Sequence, residues 1–223
     1  MPNWCLNTIL IIGPSEDVSV LFKSLEEYDA EVKAKEKGPD DNLINIGVWI
    51  KDKFSDKLPE FTEEDYKLSY RNFIINYEFS EEDADNLVIY THSAWVSHMY
   101  ALVKLIEVGF PKCIIHYKSE EPCINYYINT DESGLYFPER WYYTNRFKSY
   151  YYMSDEDMLY KTLINDYADI IKDNNIVAPA LIDPGKNQIC KLVESLVEYD
   201  ESLRVYPYSI GTEYDDKKVE ILK

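Results

Sequence analysis

The sequence predicts an α+β fold, from three features of its patterning. Short β-branched, apolar runs bounded by Gly, Pro and acidic residues recur up to about Thr130. Between them lie stretches whose apolar residues repeat at helical spacing, so strands and helices alternate. After Ser133-Gly134 the pattern changes to an aromatic-rich segment followed by amphipathic helices.

The first run, TILIIG (Thr8 to Gly13), reads as a buried strand closed by Gly13-Pro14. Ser15 reads as the cap of a helix, with Glu16 and Asp17 in its first turn, where the helix dipole favours carboxylates. Val18, Leu21, Phe22 and Leu25 then fall on one helical face. After the charged stretch AEVKAKEKGPDDN, LINIGVWI (Leu43 to Ile50) reads as a strand. The polar insertion KDKFSDKLPEFTEEDY leads to another strand, YRNFIINYEF (Tyr70 to Phe79). The acidic connector Ser80 to Asn86 opens into a strand from Leu87 to about Thr91. Met99, Leu102, Val103, Ile106 and Val108 mark a buried helix face, stopped by Gly109 and Pro111. KCIIHYKS and CINYYINT read as two further strands joined by a turn at Glu121-Pro122. The succession β-α-β-β-α-β, with an extra hairpin strand, is the ferredoxin-like arrangement: an antiparallel sheet with helices on one face. In such a sheet the first strand is central. Trp4 and Cys5 would open it, and packing Trp4 inside would contribute about 2–3 kcal/mol.

The second half begins with LYFPERWYYTNRFKSYYYM (Leu135 to Met153). Ser154 caps a helix with Met158, Leu159, Leu163, Ile164, Tyr167, Ile170 and Ile171 on one stripe. A shorter helix carries Ile189, Leu192, Val193 and Leu196, and one or two edge strands close the chain. The expected organisation is a ferredoxin-like domain over 1–133. A Tyr-rich linker and mostly helical subdomain follows over 134–223.

The chain has 223 residues, a formal net charge of -18 and 21 Tyr. That excess of carboxylate repels nucleic acid and anionic membranes and favours basic partners. No window approaches the roughly 18 apolar residues of a membrane span. The opening lacks the basic flank of a secretory leader. Cys5, Cys113, Cys123 and Cys190 form no CxxC pair. Scattered thiols fit a reduced, cytoplasmic protein better than a zinc or disulfide framework. With 7 Gly and neither a GxGxxG nor a GxxxxGK[ST] pattern, a phosphate-loop nucleotide enzyme is excluded, and no cofactor is implied.

The opening MPNWCLNTILIIGP resembles the start of the Api-like (YubB-like) family of phage, plasmid and endosymbiont proteins, which carry a ferredoxin-type domain. IYTHSAW before a helix, then Pro111, a strand and KSEEPC, is a second, looser similarity. The likeness covers roughly residues 1 to 130. It implies a mobile-element setting and a ferredoxin-type fold without iron, and it carries over no catalytic residue.

Among candidate chemistries, His92, His98 and His116 would need to converge for a metal site, and their spacing matches no ligand signature. Cys113 and His116 stand three apart in one strand and point to opposite faces, so they cannot form a thiol–imidazole pair. Paired carboxylates are too abundant for any one pair to point to a hydrolase. Two features remain. Between Asp56 and Asp85, carboxylates heavily outnumber cations, with Glu63, Glu64, Asp65, Glu81, Glu82, Asp83 and Asp85 as the candidate partner-binding acids. Such a face can imitate the phosphate ladder of DNA for a basic, nucleic-acid-binding protein. The other feature is the aromatic segment. There Arg140, Trp141, Tyr142 and Arg146 are candidates for a protein interface, or for holding a small nucleotide with Arg on phosphate and an aromatic ring stacked on the base. The reading that follows is a non-enzymatic binding protein for a basic host protein, such as a defence enzyme. A nucleotide-binding module and a carboxylate/His hydrolase are the alternatives.

Overall fold

The first apolar run forms strand β1, Trp4–Ile12, and its alternation sets the layers around it. Cys5, Asn7, Ile9 and Ile11 point inward and are buried, whereas Trp4 and Leu6 on the opposite face are exposed. A computed structural model describes residues 3–35, 43–80, 86–146, 148–176 and 186–210 as an α+β protein. These fall into two units divided between Tyr126 and Tyr127.

In the first unit β1 lies between β4 (Asn86–Ala94) and β5 (Ile114–Glu121), antiparallel to both. β3 (Asn72–Phe79) pairs with β4, and the two-residue β2 (Ile44–Asn45) pairs with β3. The order is therefore β5-β1-β4-β3-β2. Inward-facing Leu87 and Ile89 on β4 and Tyr117 on β5 continue the buried face begun by Ile9 and Ile11. Helix α1 (Ser15–Ala34) buries Val18, Leu21, Leu25 and Tyr28. Burying each such aliphatic side chain stabilises the fold by about 1.5–3 kcal/mol. Ser15 is the first helical residue, and Pro14 precedes it with no side-chain cap.

Residues 43–50 depart from the expected strand. Only Ile44 and Asn45 are extended, and the chain then enters helix α2 (Ile46–Phe54). Asn45 accepts a hydrogen bond from the Val48 N–H, capping that helix. Ile46, Trp49, Ile50 and Phe54 follow at helical spacing and are all buried, so an apolar run read with period two is satisfied with period 3.6. Trp49 Nε1 donates to Ser24 Oγ at 3.1 Å, tying α2 to α1. The short helix α3 (Glu63–Lys67) and helix α4 (Tyr100–Lys104) complete the layer; α4 runs into one π-helical turn, Leu105–Gly109.

Among its described residues the second unit combines helices with a sheet. Trp141–Asn145 (β7) and Lys148–Met153 (β8) form a hairpin, and Arg204–Pro207 (β9) pairs on the other side of β7. The residues read as a linker are thus a sheet, because their aromatic residues alternate. Trp141 and Tyr143 pack with Leu159, Tyr160 and Leu163 of α5 (Glu156–Asp166) and with Ile189, Leu192 and Leu196 of α7 (Lys186–Val197). Tyr142 points the other way and stacks on Tyr127 with ring centroids 4.7 Å apart. The expected single helix after Ser154 is broken at Tyr167 into α5 and α6 (Ala168–Asp173), where the Tyr167 hydroxyl donates to Asp200 at 2.6 Å. Two short strands, β6 (Tyr126–Asn129) and β10 (Ser209–Ile210), pair in parallel at Ile128 and Asn129. Ser133 and Gly134, the expected boundary, lie in a turn built around Asp131. Its carboxylate accepts from the Ser133 hydroxyl and from the N–H groups of Gly134, Tyr136 and Phe137. No helix of the described residues is long and apolar enough to cross a membrane.

Candidate protein-binding surface

Strand parity places Trp4 outside the core. Trp4 is expected inside, but residue 4 shares the face of Leu6, opposite Cys5 and Asn7, and is 46% exposed. Its ring meets Phe73 edge-on at 6.3 Å and lies tilted over His92 at 6.3 Å. Phe73 and His92 are cross-strand partners in the β3–β4 ladder, and Leu6 is opposite His92 in the β1–β4 ladder. Trp4, Leu6, His92 and Phe73 therefore form a row across three strands, of the kind that stabilises a sheet through cross-strand contact. Burial pushes the His92 imidazole below its usual range, so it is a neutral ring against two aromatic residues at pH 7.

At the end of β4 the chain turns sharply. Trp95 has φ 72 and His98 has φ 48, both left-handed and neither a glycine. Such a backbone costs roughly 1–3 kcal/mol per residue and persists only where its surroundings impose it. Here they do. Trp95 N–H donates to the Asn3 carbonyl at 3.0 Å, one step along from the Trp4–Ala94 pair. Ser93 Oγ donates to the Val96 carbonyl at 2.6 Å, and Asn72 Nδ2 donates to the Ser97 carbonyl at 2.7 Å. The two His98 ring nitrogens face the Leu68 and Ala94 carbonyls at 3.1 and 2.9 Å. Below the turn, Asn7 Nδ2 donates to Thr91 Oγ1 and Ser93 Oγ, each at 2.9 Å, within the buried layer. The net result is a rigid loop holding Trp95 41% exposed, beside the strand end that exposes Trp4. Exposed aromatic side chains on a rigid frame are what protein-interface anchors are made of.

The residues singled out from sequence are dispersed. Glu63, Glu64 and Asp65 open α3. Glu63 pairs with Lys51 at 2.5 Å and accepts from the Tyr70 hydroxyl, Glu64 pairs with Lys67, and Asp65 closes a capping box with Thr62. Glu81, Glu82, Asp83 and Asp85 lie outside the described residues. Trp141 and Tyr142 are each 3% exposed, packed on opposite faces of β7. Arg140 directs its guanidinium onto the carbonyls of Asp131 and Phe137, at 2.9 and 3.1 Å, where it closes the Asp131 turn. Arg146 Nε stands 3.8 Å from the buried Asp200 carboxylate. In the same segment Tyr136 and Tyr152 are exposed.

His92 and His116 stand on the outward face of β4 and β5, and His98 is held in the strained turn. Among the described residues, no group of three or more His, Cys, Asp or Glu side chains could hold a metal ion. Cys5 is sealed in the core, where burial pushes its thiol up to about 12. The sequence pattern did not single out Trp4 and Trp95 as exposed residues. The available signal was parity: a strand that buries Cys5, Ile9 and Ile11 must turn residues 4 and 6 outward. Comparison with known proteins returned no match: no family model, no curated protein and no solved structure matches this chain.

Proposed function

We propose that this is a non-enzymatic binding protein whose partner is a basic protein. The observation that carries the reading is the pair of exposed tryptophans, Trp4 and Trp95, at one end of the β1–β4 pair, on a chain with a formal net charge of -18. The aromatic residues supply anchors with little ordering cost. The carboxylates supply attraction that speeds encounter with a cationic surface and weakens with salt. The strand order β5-β1-β4-β3 supports a ferredoxin-like reading of the first unit. The family resemblance of the opening residues supports a mobile-element setting, and the scattered thiols support a cytoplasmic one. There, the sharpest form of the proposal is an inhibitor that fills the basic groove of a nucleic-acid-binding host enzyme, its carboxylates standing in for phosphates. The same charge disfavours direct binding of nucleic acid.

Affinity capture with the intact protein tests this, run beside the Trp4→Ala/Trp95→Ala double variant and across a salt titration. The expected result is a basic protein retained by the intact chain, lost in the double variant and released progressively by salt. A partner held equally by both chains, or indifferent to salt, contradicts the reading.

A further inference from the structure

The turn that carries Trp95 depends on one proton. His98 Nδ1 faces the carbonyl of Leu68, 30 residues away in sequence, at 3.1 Å, and its Nε2 faces the Ala94 carbonyl at 2.9 Å. A carbonyl only accepts. A neutral imidazole has one N–H and one lone pair, whereas an imidazolium has two N–H donors. Both contacts are therefore hydrogen bonds only when the ring carries two protons. In either neutral tautomer one ring lone pair points at a carbonyl oxygen, and the two repel.

Neither carbonyl is incidental. Leu68 caps the C-terminal end of α3, where carbonyls lack helical partners. Ala94 ends β4 and also accepts from the Val96 N–H at 2.9 Å. The ring thus ties α3 to the strand end that Trp95 follows. The Leu68 contact lies at the surface and the Ala94 contact is half-buried, so solvent can take the Nδ1 proton without unfolding the turn. The titratable groups on the neighbouring elements are engaged elsewhere. On α3, Glu63 pairs with Lys51 and Tyr70, Glu64 with Lys67, and Asp65 with Thr62. Tyr66 and Tyr100 pack on Phe61, Lys104 of α4 pairs with Glu107, and His92 of β4 lies against Trp4. Among the described residues, neither these nor Arg71 touches the His98 ring.

We propose that His98 is a proton-operated clamp that sets how firmly this turn presents Trp95. With two protons the ring bonds both carbonyls. With one, it keeps the half-buried Ala94 bond, the Leu68 contact opens and the turn loosens. The clamped turn binds one proton more than the open one, so lowering the pH favours it and raising the pH releases it. Histidine is the side chain that changes charge between about pH 5 and 8, which puts the device in the physiological range. Binding through Trp95 should then be tighter at pH 6 than at pH 8. That consequence rests on the reading of Trp95 as an anchor; the clamp itself does not.

NMR of the ring nitrogens in the isotope-labelled full chain, recorded between about pH 5.5 and 8.5, counts the protons on each. At the acid end both His98 nitrogens should carry one. As pH rises one proton should leave, and the backbone amides of Trp95 and Val96 should shift with the same midpoint. Hydrogen exchange at the Trp95 amide, corrected for its intrinsic pH dependence, should be about three- to tenfold faster above that midpoint, the worth of one hydrogen bond. His98→Asn, in which asparagine tolerates the left-handed backbone, should leave the Trp95 amide without a transition in this range. If that variant fails to fold, the native spectra decide alone. A His98 ring that stays in one protonation state throughout, or a His98 transition that the Trp95 amide ignores in both shift and exchange, overturns the proposal. None of these readouts uses a partner, so the clamp can fail while capture through Trp4 and Trp95 succeeds, and the reverse.

Discussion

The strain at Trp95 can be measured directly. A left-handed backbone costs a residue with a Cβ roughly 1–2 kcal/mol, and glycine escapes that cost. Glycine also loses more freedom on folding than alanine, by roughly 0.5–1 kcal/mol. At φ 72 the first term is the larger, so Trp95→Gly should be more stable than Trp95→Ala by about 0.5–1 kcal/mol. At an ordinary backbone position the order is reversed. Both variants lose the same half-exposed side chain, so the comparison isolates the backbone. Urea unfolding of the two, followed by far-ultraviolet circular dichroism, reads the difference as a shift in midpoint at equal slope. The turn's hydrogen bonds from Ser93, Asn72 and His98 would remain in both. Equal stability, or alanine the more stable, would refute the claim that the loop holds Trp95 in a strained conformation. Partner capture should fail with both variants, which would make Trp95→Gly a chain that gains ease and loses function.

Other outcomes follow from individual contacts. Gly47→Ala should destabilise by about 1–3 kcal/mol although alanine is the better helix former, since overpacking outweighs propensity. The new Cβ would stand 2.5 Å from the Tyr66 carbonyl and 2.5 Å from Tyr70 Cδ1, and thermal melting checks the sign. Burial alone would raise the Asp200 carboxyl, but hydrogen bonds from Ser202, Tyr167 and Arg146 hold it below its usual range. A depressed folded value means that this stability is present above about pH 4 and is lost as pH falls further, through the folded value. Asp200→Asn should therefore flatten the acid limb of the melting curve while lowering stability at pH 7. In the native protein at pH 8, Ellman's reagent should titrate the exposed Cys123 and Cys190 and reach Cys5 and Cys113 only after unfolding. Early reaction of Cys5 would show that the core around Asn7 opens.

Much of the fold was legible because hydrophobic period and turn residues agree with the outcome. The α+β class, β1, α1, β3 to β5, α5 and α7 all sit on runs whose pattern matches the element that formed. Where pattern misled, the cause was local. LINIGVWI satisfies both periods, and Asn45 as a helix cap, with Ile46, Trp49, Ile50 and Phe54 on one face, decides for helix. WYYTN reads as undifferentiated aromatic sequence until β8 and β9 give it neighbours, after which Trp141 and Tyr143 face one way and Tyr142 the other. The candidate surface was less legible. Trp4 lies beside the buried Cys5, and only a committed strand phase separates them. Trp95 is exposed by a positive φ imposed by bonds to Asn3 and from Asn72, both far away in sequence, together with the local bonds of Ser93 and His98. Arg140 looked like a phosphate ligand by residue type, and its carbonyl partners in the Asp131 turn belong to the fold alone.

The most direct measurement installs a photo-crosslinking phenylalanine analogue at position 95, and separately at the exposed Met158 of the second unit, in the cells that make the protein. The account predicts that position 95 captures one protein rich in Lys and Arg, with a yield that falls as salt rises in the lysate before irradiation, and that position 158 does not. No adduct at position 95, an acidic partner there, or the same partner captured equally from position 158 would contradict it.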